Sequence, residues 1–207
     1  MLRLAYGLGW GYVGLCALLV WARPAPPLAV QALRLPEAGP VGQPLPPGDP
    51  SPAGWFETIR SRCNPVEVEL ALRNRRPPRR DDYAGYLAGC YALAGKIDRA
   101  RQAILAVGTP ANRRAAAGTV FGIVHPVADA GDDLSAGPMM RLVLEFTPDN
   151  FQALYHAGMS EYAVHDYRRA RGHLQQFLAL YHEADGFTSN ARQVLDRPEM
   201  RAAGTGQ

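Results

Sequence analysis

An all-α fold is what this 207-residue chain predicts, and three observations carry the prediction. From Trp55 onward apolar residues recur at intervals of three and four, the spacing of one helix face, and no stretch alternates with the period of a strand. The apolar runs are introduced by Asn64-Pro65, Asp81-Asp82, Thr109-Pro110, Asp132-Asp133 and Thr147-Pro148-Asp149. Short polar side chains and prolines suit the orphan donors of a first helical turn. Small residues (Ala88, Gly89, Gly95, Ala100, Ala157, Gly158 and Ala170) are set among large ones, although a helical Gly costs about 1 kcal/mol relative to Ala. Close contact between helix backbones is the compensating gain.

The first element precedes the globular body. Residues 4–22, LAYGLGWGYVGLCALLVWA, are nineteen uncharged residues between Arg3 and Arg23. That length spans a hydrocarbon core as a helix. It exceeds the apolar region of about 7–15 residues in a cleaved signal peptide. Ala29-Val30-Gln31-Ala32 only loosely resembles a cleavage site, and Leu15 before Cys16 departs from a lipoprotein box. Residues 1–22 therefore read as a transmembrane signal anchor, with a removed signal peptide as the alternative. Gly7, Gly11 and Gly14 lie on one face of this segment, a stripe that lets a second helix approach in lipid. The plainer reading is that Gly is simply frequent in membrane helices.

Residues 23–54 carry ten prolines and predict an extended, semi-rigid linker. The helical domain follows over 55–200, with a flexible tail at 201–207. Arg3 and the terminal amine face Arg23 and Arg34 across the span, so the positive-inside count is nearly balanced. The spacer and the signal-like start favour a domain outside the cytoplasm.

Composition narrows the function. At 47% hydrophobic, 20% charged and net +3, the chain is globular, and its charge gives no support to nucleic-acid binding. Its three cysteines, Cys16, Cys63 and Cys90, form no CxxC or CxxCH, which excludes the zinc and c-type haem patterns. A phosphate loop, GxSxG and HExxH are all missing. The expectation is a protein without catalytic residues, cofactor or small-molecule substrate. HPVADAGDD holds the best polar cluster, His125, Asp129, Asp132 and Asp133. The three aspartates are metal candidates, but EF-hand spacing is lacking and Asp132-Asp133 also suits a helix cap. His156, His165, His173 and His182 read as surface or packing residues. Arg73, Arg75, Arg76, Arg79 and Arg80 make a basic loop, either a solvated connection or a patch for lipid headgroups or an acidic partner.

Two stretches then line up about 70 residues apart, YAGYLAGCYALAGKIDRARQAIL at 83–105 and QALYHAGMSEYAVHDYRRARGHL at 152–174. Ala84 matches Ala153, Ala100 matches Ala170, and Ile104 matches Leu174. The separation is about twice a 34-residue period, and LVLEFTPDN at 142–150 closes one unit and opens the next. The chain resembles the tetratricopeptide repeat family, well over 81–114, strongly over 148–182, and in degenerate form over 115–147, where HPVADAGDD interrupts the pattern. The resemblance implies a solenoid of antiparallel helix pairs, with helices at 55–63, 65–73 and 187–196 as end caps. It also implies a partner-binding groove lined by Gln152, Tyr155, Met159 and Tyr162, unless that stripe packs against a neighbouring unit. The equivalent Gly85, Gly89 and Ala92 are small, unlike a peptide clamp.

Taken together, these features suggest a non-catalytic, membrane-anchored accessory subunit of a bacterial inner-membrane complex, with a periplasmic domain and protein partners. Respiratory, photosynthetic, secretion and pilus assemblies all use such subunits. A soluble exported binding protein and, further off, a metal-dependent enzyme using HPVADAGDD are the alternatives. Cys63 and Cys90 fall at the same end of the helix stack, so in an oxidising compartment they would pair. Otherwise they are small buried hydrophobes.

Overall fold

Capping chemistry sets where the helices begin. In the structure, a computed structural model, residues 51–203 are described. Ser51 opens α1 (Pro52–Ile59) by accepting the Gly54 amide at 3.1 Å. After a 3-10 turn at Arg60–Arg62 come α2 (Val68–Asn74), α3 (Asp81–Leu93), α4 (Ile97–Leu105) and α5 (Pro110–Asp129). The remainder is α6 (Asp133–Leu144), α7 (Phe151–Ala163), α8 (Tyr167–Leu180), α9 (Gly186–Leu195) and α10 (Pro198–Ala202). No strand occurs among the described residues, so the fold is all-α. The apolar segment at 4–22, its glycine stripe and most of the proline-rich linker lie outside the described residues. No helix among the described residues is long and apolar enough to cross a membrane.

Thr109, Asp132, Asp166 and Asp185 each accept an amide three residues ahead, and thereby start α5, α6, α8 and α9. Three expected starts move. Asn150, not the Thr147-Pro148-Asp149 run, caps α7, while the Thr147 hydroxyl donates back to the Val143 carbonyl at the end of α6. Asp81 and Asp82 are first-turn residues, where carboxylates suit the helix dipole, and not caps. Asn64 closes a turn by accepting the Val66 and Glu67 amides, so α2 begins only at Val68.

Three helix pairs then share one turn. Gly95, Gly131 and His165 all adopt positive φ, at 71°, 87° and 64°. The residue after each sends its amide back five positions, Lys96 to Tyr91, Asp132 to Val127 and Asp166 to Glu161. This is the Schellman closure of a helix C-terminus. Its recurrence about every 35 residues defines pairs α3/α4, α5/α6 and α7/α8. The middle unit, expected to be degenerate, is a complete pair. Residues 125–129 of HPVADAGDD continue α5 through Pro126. Pro126 removes the donor to Gly122, but both residues are on the exposed side, where water reaches the freed carbonyl.

Glycines govern how closely the pairs approach. A Cβ on Gly85 would lie 2.6 Å from Thr119 Cβ, and one on Gly89 would lie 2.4 Å from Ile123 Cδ1. Both contacts are on α5, so these glycines admit the next pair and not the partner helix α4. Gly158 does serve its own pair, since its Cβ would meet Leu174 of α8 at 2.8 Å. Helix α5 packs chiefly on α3 and α6, whereas α7 packs chiefly on α6 and α8. The core divides accordingly into three clusters. Trp55, Phe56, Ile59 and Val68 pack along α3 at one end of the stack, and Leu154, Phe177, Val194 and Met200 form the other end. Between them lie Ile104, Val120, Val124, Met140 and Leu142. Cys63 and Cys90 are bonded, S–S 2.06 Å, which ties the α1–α2 cap to α3.

Candidate functional site

The end of α5, the start of α6 and the middle of α7 bring four polar side chains together. His125 and Asp129 are one turn apart on α5, with His125 Nδ1 3.4 Å from Asp129 Oδ2. Continuation of the helix through Pro126 places both on the same side. Asp133, in the first turn of α6, reaches His156 of α7, whose Nδ1 is 2.8 Å from Asp133 Oδ1. The other face of that imidazole looks toward α5, with Nε2 3.7 Å from Asp129 Oδ1. His156 is 4% exposed, while about half of the Asp129 side chain meets solvent. Aromatic rings hold both imidazoles. Phe121 stacks on His125 at 4.6 Å, the His125 ring sits edge-on to His156 at 5.2 Å, and Tyr155 meets His156 at 5.2 Å. Burial pushes the His125 pKa below its ordinary value, against the opposing pull of Asp129, and favours a neutral ring.

Of the three aspartates singled out in the sequence, the structure brings Asp129 and Asp133 into this cluster. Asp132 turns away to cap α6 through the Ser135 amide at 3.0 Å. Hydrogen bonding from the Ser135 hydroxyl, and then from its amide, holds the Asp132 carboxyl below the usual range. His156, assigned on sequence to surface or packing, is the residue the pattern missed. Reading HPVADAGDD as an interruption of the helical pattern concealed the i, i+4 spacing of His125 and Asp129, the one local signal available.

The aromatic stripe expected to line a groove is covered instead. Gln152 is exposed, but Tyr155 is 8% exposed. Its ring meets Phe177 and Phe187, and its hydroxyl accepts from Asn190 at 2.8 Å. Met159 and Tyr162 are half-buried, and the Tyr162 hydroxyl donates to Glu199 at 2.9 Å. Helix α8 presents Phe177, and α9 and α10 present Phe187, Asn190 and Glu199, because an apolar stripe at the end of a stack must be closed by something.

Two cavities flank the stack. One of about 710 Å³ is lined by Arg101, Arg141, Arg169 and His173 together with Ile97 and Leu142. Beside it Glu161, 1% exposed, has Oε2 2.6 Å from His173 Nδ1 and Oε1 3.8 Å from Arg141. A buried carboxylate requires such partners. Arg101 forks onto Glu145 with two contacts of 2.7 Å and closes the rim. The other cavity, also about 710 Å³, places Arg73, Arg76, Arg79 and Arg80 above Leu72, Tyr83, Leu87 and Val107. The basic loop thus borders an apolar floor, with Arg73, Arg76, Arg79 and Arg80 themselves exposed to solvent.

Comparison with known proteins gives no match, since no family model, no curated protein and no solved structure is significantly similar to the chain.

Proposed function

We propose that this protein is a non-catalytic, membrane-anchored scaffold whose helix pairs, resembling tetratricopeptide repeats, dock a protein partner within a larger bacterial membrane assembly. The observation that carries the reading is the recurrence of one turn, at Gly95, Gly131 and His165, within three successive helix pairs. Stacks of such pairs build extended surfaces from short units and serve binding more often than chemistry. The uncharged segment at 4–22 and the proline-rich linker supply an anchor and a spacer. The Cys63–Cys90 bond supports a domain on the oxidising side of the membrane.

In this reading the partner contacts are sought at exposed Gln152, at the basic-rimmed cavity and at Val66 and Leu70, which are 89% and 50% exposed. A photo-crosslinking residue placed at Gln152, Leu70 or Arg76 of the full chain, in its native membrane, tests it. One discrete protein adduct from at least one of these positions, lost when residues 4–22 are deleted, is the expected result. Absence of any adduct, or a full-length chain washed off membranes by high salt, would reject the scaffold.

A further inference from the structure

The orientation of His156 raises a question that packing does not answer. Asp133 faces Nδ1 at 2.8 Å, and a carboxylate can only accept, so Nδ1 carries the proton. Nε2 on the other side of the ring looks toward Asp129 Oδ1 at 3.7 Å, too far for a hydrogen bond, and stands open beside a carboxylate oxygen as a ligand atom would. His125 completes the arrangement. One donor atom each from His125, Asp129 and His156 fall within 4.8 Å of one another.

We propose that His125, Asp129 and His156 bind a first-row divalent metal ion, with Zn²⁺ the best fit, and that Asp133 is the positioning residue that orients His156. Zinc bonds to imidazole nitrogen at about 2.0–2.1 Å and to carboxylate oxygen at about 2.0–2.2 Å, so tetrahedral ligand atoms stand roughly 3.3–3.5 Å apart. His125 Nδ1 is 3.4 Å from Asp129 Oδ2 and His156 Nε2 is 3.7 Å from Asp129 Oδ1, so rotation of the carboxylate is what brings one oxygen to that spacing from both nitrogens. Two imidazoles with a single carboxylate suit zinc, cobalt or nickel, whereas calcium and magnesium require more oxygen ligands. A carboxylate behind a ligating imidazole is the usual outer partner of such a site. Three protein ligands leave a fourth position for water, on the side where Asp129 meets solvent. The ion would join α5 to α7, two helices that pack only lightly on each other.

Full-length protein purified in mild detergent without a polyhistidine tag, and stripped with chelator, is titrated with Zn²⁺ alone and separately with Co²⁺. The proposal expects one saturable site per chain, a rise in melting temperature with metal, and a visible cobalt absorption of low-symmetry N,O coordination. His156→Gln tests the buried ligand, but loss of that side chain can unfold the domain. The more accessible variants His125→Gln and Asp129→Asn therefore decide the matter. Each should remain folded without metal and lose both the saturable binding and the thermal shift. Asp133→Asn should weaken Zn²⁺ binding about 10–100-fold while a cobalt band persists, and Asp133→Glu should restore part of the loss. Binding undiminished in His125→Gln and Asp129→Asn, or no saturable binding in the parent chain, would overturn the site.

Discussion

Gly85 and Gly89 are one turn apart on α3 and both face α5, but what each touches differs. A methyl on Gly85 would meet Thr119 Cβ at 2.6 Å and the Ala116 carbonyl oxygen at 2.9 Å. Neither branch point nor backbone can move away cheaply. On Gly89 the nearest atom is Ile123 Cδ1, the free end of a flexible chain. Gly85→Ala should therefore destabilise the domain by about 1–3 kcal/mol. Gly89→Ala should cost less, because the gain of about 1 kcal/mol in helix propensity offsets part of the clash. Gly118 and Gly122 of α5 have open space where a Cβ would go, so Gly118→Ala and Gly122→Ala should stabilise by about 0.4–1 kcal/mol. Thermal unfolding of the four variants in the full chain checks the order, and a Gly85→Ala variant as stable as Gly122→Ala would refute the packing. The need for small residues was visible in the sequence. Which helix each admits was not, because residue size reports contact distance and not the identity of the neighbour.

At the scale of elements, the end caps differ in what the sequence says about them. Thr109-Pro110 marked the start of the Pro110–Asp129 helix, but its continuation past Pro126 was not legible, because proline normally ends a helix and is tolerated here where the freed carbonyl is exposed. Helix α9 was expected at 187–196 as an end cap implied by the repeat resemblance, but its position over Tyr155 depends on Asn190 and Phe187 meeting a ring from a distant unit. No local period encodes that. The α9 start rests on Asp185, which accepts the Thr188 amide at 3.0 Å and the Tyr181 hydroxyl at 2.7 Å. The Thr188 backbone bond and then the Tyr181 bond hold its carboxyl below the ordinary 3.8. Glu199 of α10 is likewise lowered, first by a backbone amide and then by the Tyr162 hydroxyl. A carboxyl with a depressed folded pKa contributes stability that is complete above its unfolded value and lost as pH falls through the folded one. The C-terminal cap should therefore loosen as pH falls below about 4. Asp185→Asn should lower the melting temperature at pH 7 and flatten its acid dependence. Parallel melting curves for parent and variant from pH 7 to pH 3 would contradict this.

For the whole molecule, the Cys63–Cys90 bond ties the α1–α2 cap to the first helix pair across a sequence separation of 27. In the chain-entropy account, a cross-link closing a loop of that length stabilises the folded state by about 3–4 kcal/mol. Both residues are buried, Cys63 at 6% and Cys90 at 0%, so reductant reaches the bond only when the cap opens. Deleting 4–22 should release the protein from membranes as a folded helical domain, because one apolar span of that kind inserts almost irreversibly. The two properties can be read together in protein drawn from native membranes. Alkylation without reductant should label neither Cys63 nor Cys90, and alkylation after reductant and denaturant should label both. Reduced protein should melt at a lower temperature, with the loss concentrated in the α1–α2 cap, where hydrogen exchange of Ile59 and Val68 should accelerate before that of Leu142 in the central core. Labelling of both cysteines before reduction would remove the main support for an extracytoplasmic domain. Equal exchange rates in cap and core after reduction would show that the bond does not hold the cap in place.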